Sequence, residues 1–110
     1  MKIAVTSQNF RTVTGHAGKT RKFLVHELRP DGSIVPAGRL DLPKRMSIHA
    51  HPVDAPHPLD EMDFLVTSGC GRGFIGKMAA RGVSVWLTRQ QDPREAVQEL
   101  VDHLHGNAPG

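Results

Sequence analysis

Phe64-Leu65-Val66-Thr67-Ser68-Gly69-Cys70-Gly71-Arg72-Gly73-Phe74-Ile75-Gly76-Lys77-Met78-Ala79-Ala80-Arg81-Gly82-Val83-Ser84-Val85-Trp86-Leu87 is the stretch that decides the fold class. Phe64 to Thr67 and Val83 to Leu87 are short, continuous apolar runs, the pattern of central strands in a parallel sheet. Between them Phe74, Ile75, Met78 and Ala79 recur at helical spacing, and Gly82 can supply the left-handed residue that stops a helix over Arg72 to Arg81. Strand, helix and strand in so short a span make a βαβ unit, whose crossover is right-handed. The chain is therefore expected to be α/β.

Toward the amino terminus, Ile3 to Thr6 is apolar and β-branched, and Phe23 to Leu28 follows a polar loop. Pro30-Asp31-Gly32 is a turn signal, so Ser33 to Leu42 should return antiparallel as a hairpin, and Pro36 assigns that strand to an edge. Toward the carboxyl terminus, Asp92-Pro93-Arg94-Glu95 reads as N-cap, N1 proline and N3 glutamate. Ala96, Val97, Leu100, Val101 and Leu104 then form one apolar stripe ended by Gly106. The order is β-β-β-β-α-β-α, a mixed five-stranded sheet with strands one, four and five as parallel neighbours and the second antiparallel. Ligands in open α/β sheets bind beyond the carboxyl ends of parallel strands. The loops there are Ser7 to Lys22, Ser68 to Gly73 and Thr88 to Asp92.

The segment from Pro43 to Pro58 carries four prolines and the histidines His49, His51 and His57, with no periodic apolar pattern. It reads as a long structureless loop with no apolar face to dock, mobile until a ligand orders it through His49 or His51.

A chain of 110 residues with 38% hydrophobic and 23% charged residues is sized and composed for one folded domain, read as residues 1–106 with a disordered tail over 107–110. The amino terminus lacks the apolar run of a signal peptide, and no stretch approaches the roughly 20 apolar residues that span a bilayer. No membrane partner is therefore expected, and a single cysteine, which cannot form an internal disulfide, fits a reducing cytoplasm. The net charge of +3 favours anionic partners. Four Phe, one Trp and no Tyr are a poor supply for base stacking, so nucleic acid is not the expected partner.

Ser68-Gly69-Cys70-Gly71-Arg72-Gly73 joins a strand to a helix. Its glycines allow a ligand close to the backbone, and a helix N-terminus offers unpaired N–H groups to an anion. The helix dipole and Arg72 would favour the Cys70 thiolate, whereas a tight turn with a small buried thiol is the plain alternative. His16, in Thr14-Gly15-His16-Ala17-Gly18, lies on the same expected edge as Cys70. His49-Ala50-His51 and His57 could add imidazoles, although one cysteine fits no standard zinc pattern and a solvated histidine loop reads equally well. His26, His103 and His105 read as structural, the last two at a helix C-terminus. Arg11, Lys19, Arg21, Lys22, Arg72 and Arg89 recur near that edge, either as a solvated face or as an electropositive mouth.

Met1 to Val5 and Val13-Thr14-Gly15-His16-Ala17-Gly18-Lys19-Thr20-Arg21-Lys22-Phe23 resemble the dinitrogenase iron–molybdenum cofactor-binding family, which includes NifX-like and NafY-like proteins and the NifB C-terminal domain. The likeness continues through Asp63 to Arg81, Gly82-Val83-Ser84-Val85 and Asp92 to Leu104. The family's first-loop motif runs serine, any residue, histidine, phenylalanine, glycine; Thr14, His16 and Gly18 align with it, and Ala17 replaces the phenylalanine. Gly69-Cys70-Gly71 matches the family's glycine turn, where only some members carry cysteine, and His49-Ala50-His51 is similar to a histidine-rich loop of relatives. The resemblance implies an RNase H-like three-layer fold. It implies a carrier that binds an anionic iron–sulfur or iron–molybdenum cluster, or its precursor, and works with nitrogenase assembly proteins. The chemistry of the glycine turn and the basic edge, with the resemblance strengthening His16, makes Cys70, His16, Gly69, Gly71, Arg72 and Lys19 candidate cofactor-binding residues, with Cys70, His16, His49 and His51 as candidate metal ligands.

Catalysis is the weaker expectation. Two-metal nuclease chemistry needs clustered carboxylates, and Ile3 to Phe10 contains none. A cysteine enzyme with Cys70 as nucleophile and His16 as base is conceivable, but Gly76 stands where a phosphatase-type loop places its arginine, and no second cysteine offers redox exchange. A non-catalytic regulatory or interaction module without a cluster is the main alternative.

Overall fold

The computed structural model describes residues 1–106; the expected tail at 107–110 lies outside the described residues. Strands β1 (Lys2–Thr6), β2 (Lys22–Leu28), β3 (Ile34–Asp41), β4 (Phe64–Thr67) and β5 (Ser84–Leu87) form one sheet in the order β3-β2-β1-β4-β5. β1 pairs parallel with β4, and β4 with β5, while β2 runs antiparallel to both β1 and β3. This is the expected mixed sheet.

Local chemistry explains the turns. Asp31 Oδ1 accepts from the Ser33 N–H at 2.9 Å and the Ser33 hydroxyl at 2.6 Å, and Gly32 takes φ +88°, closing the β2–β3 hairpin. Pro36 sits on edge strand β3 at an irregularity where the register shifts between Val25 and His26.

Helix α1 (Arg72–Ala80) and helix α2 (Pro93–Leu104) cover opposite faces of the sheet. α2 forms as its cap predicts: the Asp92 carboxylate accepts the Glu95 N–H at 3.0 Å, and Ala96, Val97, Leu100 and Val101 are buried against Ile3, Val5 and Val66. α1 contributes a narrower stripe. Phe74 and Met78 join Ala4, Phe23 and Leu65 in the second core, whereas Ile75, expected inside, is 46% exposed and Ala79 is also exposed. Val83 to Leu87 read as a central strand, yet among the described residues β5 is an edge strand, paired with β4 alone and with Leu87 54% exposed.

The segment after β3 departs most from expectation. Ile48 and Leu59 are buried in the α1-side core, giving the segment the apolar anchors that periodicity did not reveal. Short 3-10 turns form at Lys44–Met46 and Pro58–Glu61. His57 is buried, its Nε2 donating to the Met46 carbonyl at 2.6 Å and its Nδ1 accepting from the Leu59 N–H at 3.0 Å. Both nitrogens are thus used by the neutral ring. Arg81 closes the segment onto α1 through the Ala55 carbonyl at 3.0 Å, the Pro52 carbonyl at 3.1 Å and the Asp60 carboxylate at 2.9 Å. The segment is docked, not structureless.

A cationic cleft at the carboxyl edge of the sheet

The loop after β1 is tied to its neighbours through the backbone. The Thr14 carbonyl accepts from the Thr6 and Thr67 hydroxyls and the Ser68 N–H; the Ala17 N–H donates to the Gly69 carbonyl at 3.2 Å. On its other side the His49 N–H donates to the Gly18 carbonyl at 2.7 Å. The first loop is thereby clasped between the glycine turn after β4 and the histidine segment after β3. His16 takes a left-handed conformation, φ 51° and ψ 48°, that turns the chain into the 3-10 turn Ala17–Lys19. A non-glycine residue in that region carries backbone strain, which recurs at functional positions.

Two open clefts meet at His16. One, of about 310 Å³, is lined by His16, Gly18, Lys19, Ile48, His49, Gly71, Gly73, Phe74 and Lys77. The second is lined by Gly15, His16, Ser68, Gly69, Cys70 and Gly71. A Cβ added at Gly69, Gly71 or Gly73 would meet nothing within 4 Å, so that strip of backbone is open to a ligand. The α1 N-cap, Gly71, makes no side-chain capping bond.

The expected site residues divide accordingly. His16, Cys70, Gly69 and Gly71 share one cleft; His16, Lys19, His49 and Gly71 share the other. Arg72 is exposed at the start of α1 but lines neither. His51 lines neither as well: its Nε2 is bonded to the Pro56 carbonyl at 2.9 Å, and its ring packs edge-on to His57 with centroids 4.9 Å apart. Among the described residues, no three His, Cys, Asp or Glu side chains come together as a metal-ion site.

The Cys70 environment corrects one expectation. Its side chain packs half-buried against the α1-side core, and burial pushes the thiol up rather than down. Cys70 precedes the N-cap, so it lies outside the helix's first turn, where the dipole acts.

Lys77 and Phe74 were missed as lining residues. Lys77 lies one turn after Gly73, on the α1 face toward the cleft, and the i, i+4 relation to the glycine turn was the available signal. Ile48 was missed because a lone apolar residue among prolines has no period.

Fold and cleft together define an α/β domain with basic and imidazole groups gathered beyond its parallel strands. The chain belongs to the dinitrogenase iron–molybdenum cofactor family, whose model matches residues 1–103. Two solved structures share the fold. The crystal structure of PH0822 is 19% identical, with a TM-score of 0.66 over 97% of this chain and 92% of its own. The NMR structure of a NifB-type protein from Thermotoga, TM1290, described as belonging to the DUF35 family, is 14% identical, with a TM-score of 0.61 over 92% of this chain and 87% of its own. No curated protein matches this chain in sequence. Among the described residues, no helix is long and apolar enough to cross a membrane.

Proposed function

We propose that this domain is a non-catalytic carrier for an iron–sulfur or iron–molybdenum cluster, or its precursor, within nitrogenase cofactor assembly in the cytoplasm. One observation carries the reading beyond family membership: a glycine-floored cleft lined by His16, His49, Lys19 and Lys77, with no acidic residue among its walls. Imidazole and thiol are donors that iron accepts, and two ammonium groups favour an anionic cargo. A cluster brings its own bridging sulfides, so a carrier that must later release it needs few protein ligands. The donor set of His16, His49 and Cys70 fits such a cargo better than it fits a bare metal ion. The raised Cys70 thiol counts against a resting nucleophile and therefore against a cysteine enzyme. The strand order, with β2 antiparallel, supports the RNase H-like assignment.

Anaerobic reconstitution with ferrous iron and sulfide, then desalting, visible absorption and metal analysis, tests the proposal. Wild type should retain absorbing iron–sulfur species, Cys70→Ser should lose most of them, and His16→Ala should lose fewer. Wild-type protein that emerges metal-free would overturn the carrier reading; undiminished loading of Cys70→Ser would remove Cys70 as a ligand.

A further inference from the structure

Among the described residues, the ion pairs and most of the cations outside them sit at opposite ends of the sheet. Lys2–Glu61, Arg29–Glu27 and Arg81–Asp60 all lie toward the amino ends of the parallel strands. Of the 14 Lys and Arg, only these three cations and Arg94, which reaches the Ile34 carbonyl at 3.3 Å, lie away from the carboxyl edge and its cleft. Arg11 stands in the loop after β1, Arg21 and Lys22 at the start of β2, and Lys44 and Arg45 just after β3. Arg72 opens α1 and Arg89 follows β5. Of the 11 acidic residues Asp41, Asp92, Glu95 and Glu99 lie at or beside this edge; Asp92 is occupied capping α2, and Glu99 accepts from Trp86, Thr88 and Gln90.

This basic rim is far wider than the cleft. With strands ~4.8 Å apart, five of them span about 19 Å. Arg11, Lys44 and Arg89 line neither cleft, and they are exposed and without an ion-pair partner among the described residues. Concentrating like charge costs self-repulsion, and an opposed anionic surface relieves it.

We propose that the carboxyl edge is a docking face for an acidic surface of a partner protein, seated over the mouth of the cleft. If the carrier reading holds, that partner gives or receives the cargo. The docking itself concerns the cluster-free protein, so either reading can fail without the other. A protein surface is favoured over nucleic acid because the rim offers no free aromatic face. The Phe10 ring is already covered by the Arg39 guanidinium at 4.5 Å and the Lys22 ammonium at 5.5 Å; Phe23 and Phe74 are buried, and Trp86 is bonded to Glu99 of α2.

Fluorescence anisotropy of cluster-free protein with a short labelled poly-glutamate peptide, and with a single-stranded oligonucleotide of equal charge, tests the proposal. Wild type should bind the peptide at low salt and weaken steeply as salt rises. Arg11→Glu/Arg89→Glu should weaken binding by about tenfold or more, while Lys2→Glu/Arg29→Glu, with the same change in net charge, should leave it within about twofold. All four positions are exposed, and unchanged melting temperatures show that both variants fold. Equal weakening by the two pairs would reduce the effect to net charge and overturn the proposal. Tighter binding of the oligonucleotide would assign the edge to nucleic acid instead. Self-association at low salt without peptide binding would assign it to the acidic end of a second copy.

Discussion

Replacing Arg81 by alanine should detach the segment that walls the cleft. The Arg81 side chain is 9% exposed and donates to one carboxylate and two backbone carbonyls. Burial alone would raise the Asp60 carboxyl, but the Arg81 guanidinium and the His57 N–H hold it below its usual value. Breaking a fully buried pair costs about 3–5 kcal/mol. Asp60 is 35% exposed and regains water when unpaired, and the Pro52 and Ala55 carbonyls do so once the segment lifts. The net loss is therefore placed lower, at about 2–3 kcal/mol. At ~4 °C per kcal/mol for a domain of this size, the melting temperature should fall by about 8–12 °C. Arg81→Lys, with one point charge in place of a planar fork, should fall roughly half as far. Hydrogen exchange should locate the effect, with faster exchange at the Leu59 and His49 amides and little change in α2. A melting temperature within about 2 °C of wild type, or loss of protection spread evenly over the chain, would refute the claim that Arg81 pins this segment.

Both buried imidazoles should make stability pH-dependent. Burial lowers His26, helped by Arg94 and opposed by Asp92, and burial lowers His57 despite its bond to Met46. The unfolded chain then binds more protons, so stability is fully present above the ordinary value of 6.5 and falls as the pH drops through it toward the lowered folded values. Urea midpoints across pH 5 to 8 check this, and His26→Met should flatten the slope because its Nδ1 is buried without a partner. His16→Gly relieves the left-handed strain at φ 51°, so the variant should melt no lower than wild type while holding less cargo. A marked loss of stability would make His16 structural. Cys70 should react with iodoacetamide more slowly at neutral pH than an unhindered thiol, accelerating as the pH rises; fast alkylation at pH 7 would contradict a thiol raised by burial.

The local signals alone determined the elements and their pairing. Alternating turn residues and short apolar runs separated the five strands, Asp31-Gly32 closed the hairpin, and Asp92-Pro93 started α2, because each depends on backbone preferences within a few residues. The βαβ unit then fixed which loops share an edge, and so placed His16 and Cys70 together from sequence alone. Tertiary structure decided what depends on neighbours distant in sequence. An apolar run does not reveal whether both flanks are paired, so β5 looked central although, among the described residues, no strand pairs with its outer edge. A lone Ile48 or Leu59 has no period, so only the core it enters shows that the histidine segment is docked. Nor can sequence tell a cysteine ionised by a helix from one desolvated against a core. The glycines around Cys70 permit either, and packing chose the second. Lys77 joined Lys19 for the same reason: residues far apart in the chain meet in one cleft only after the sheet has brought α1 and the first loop side by side.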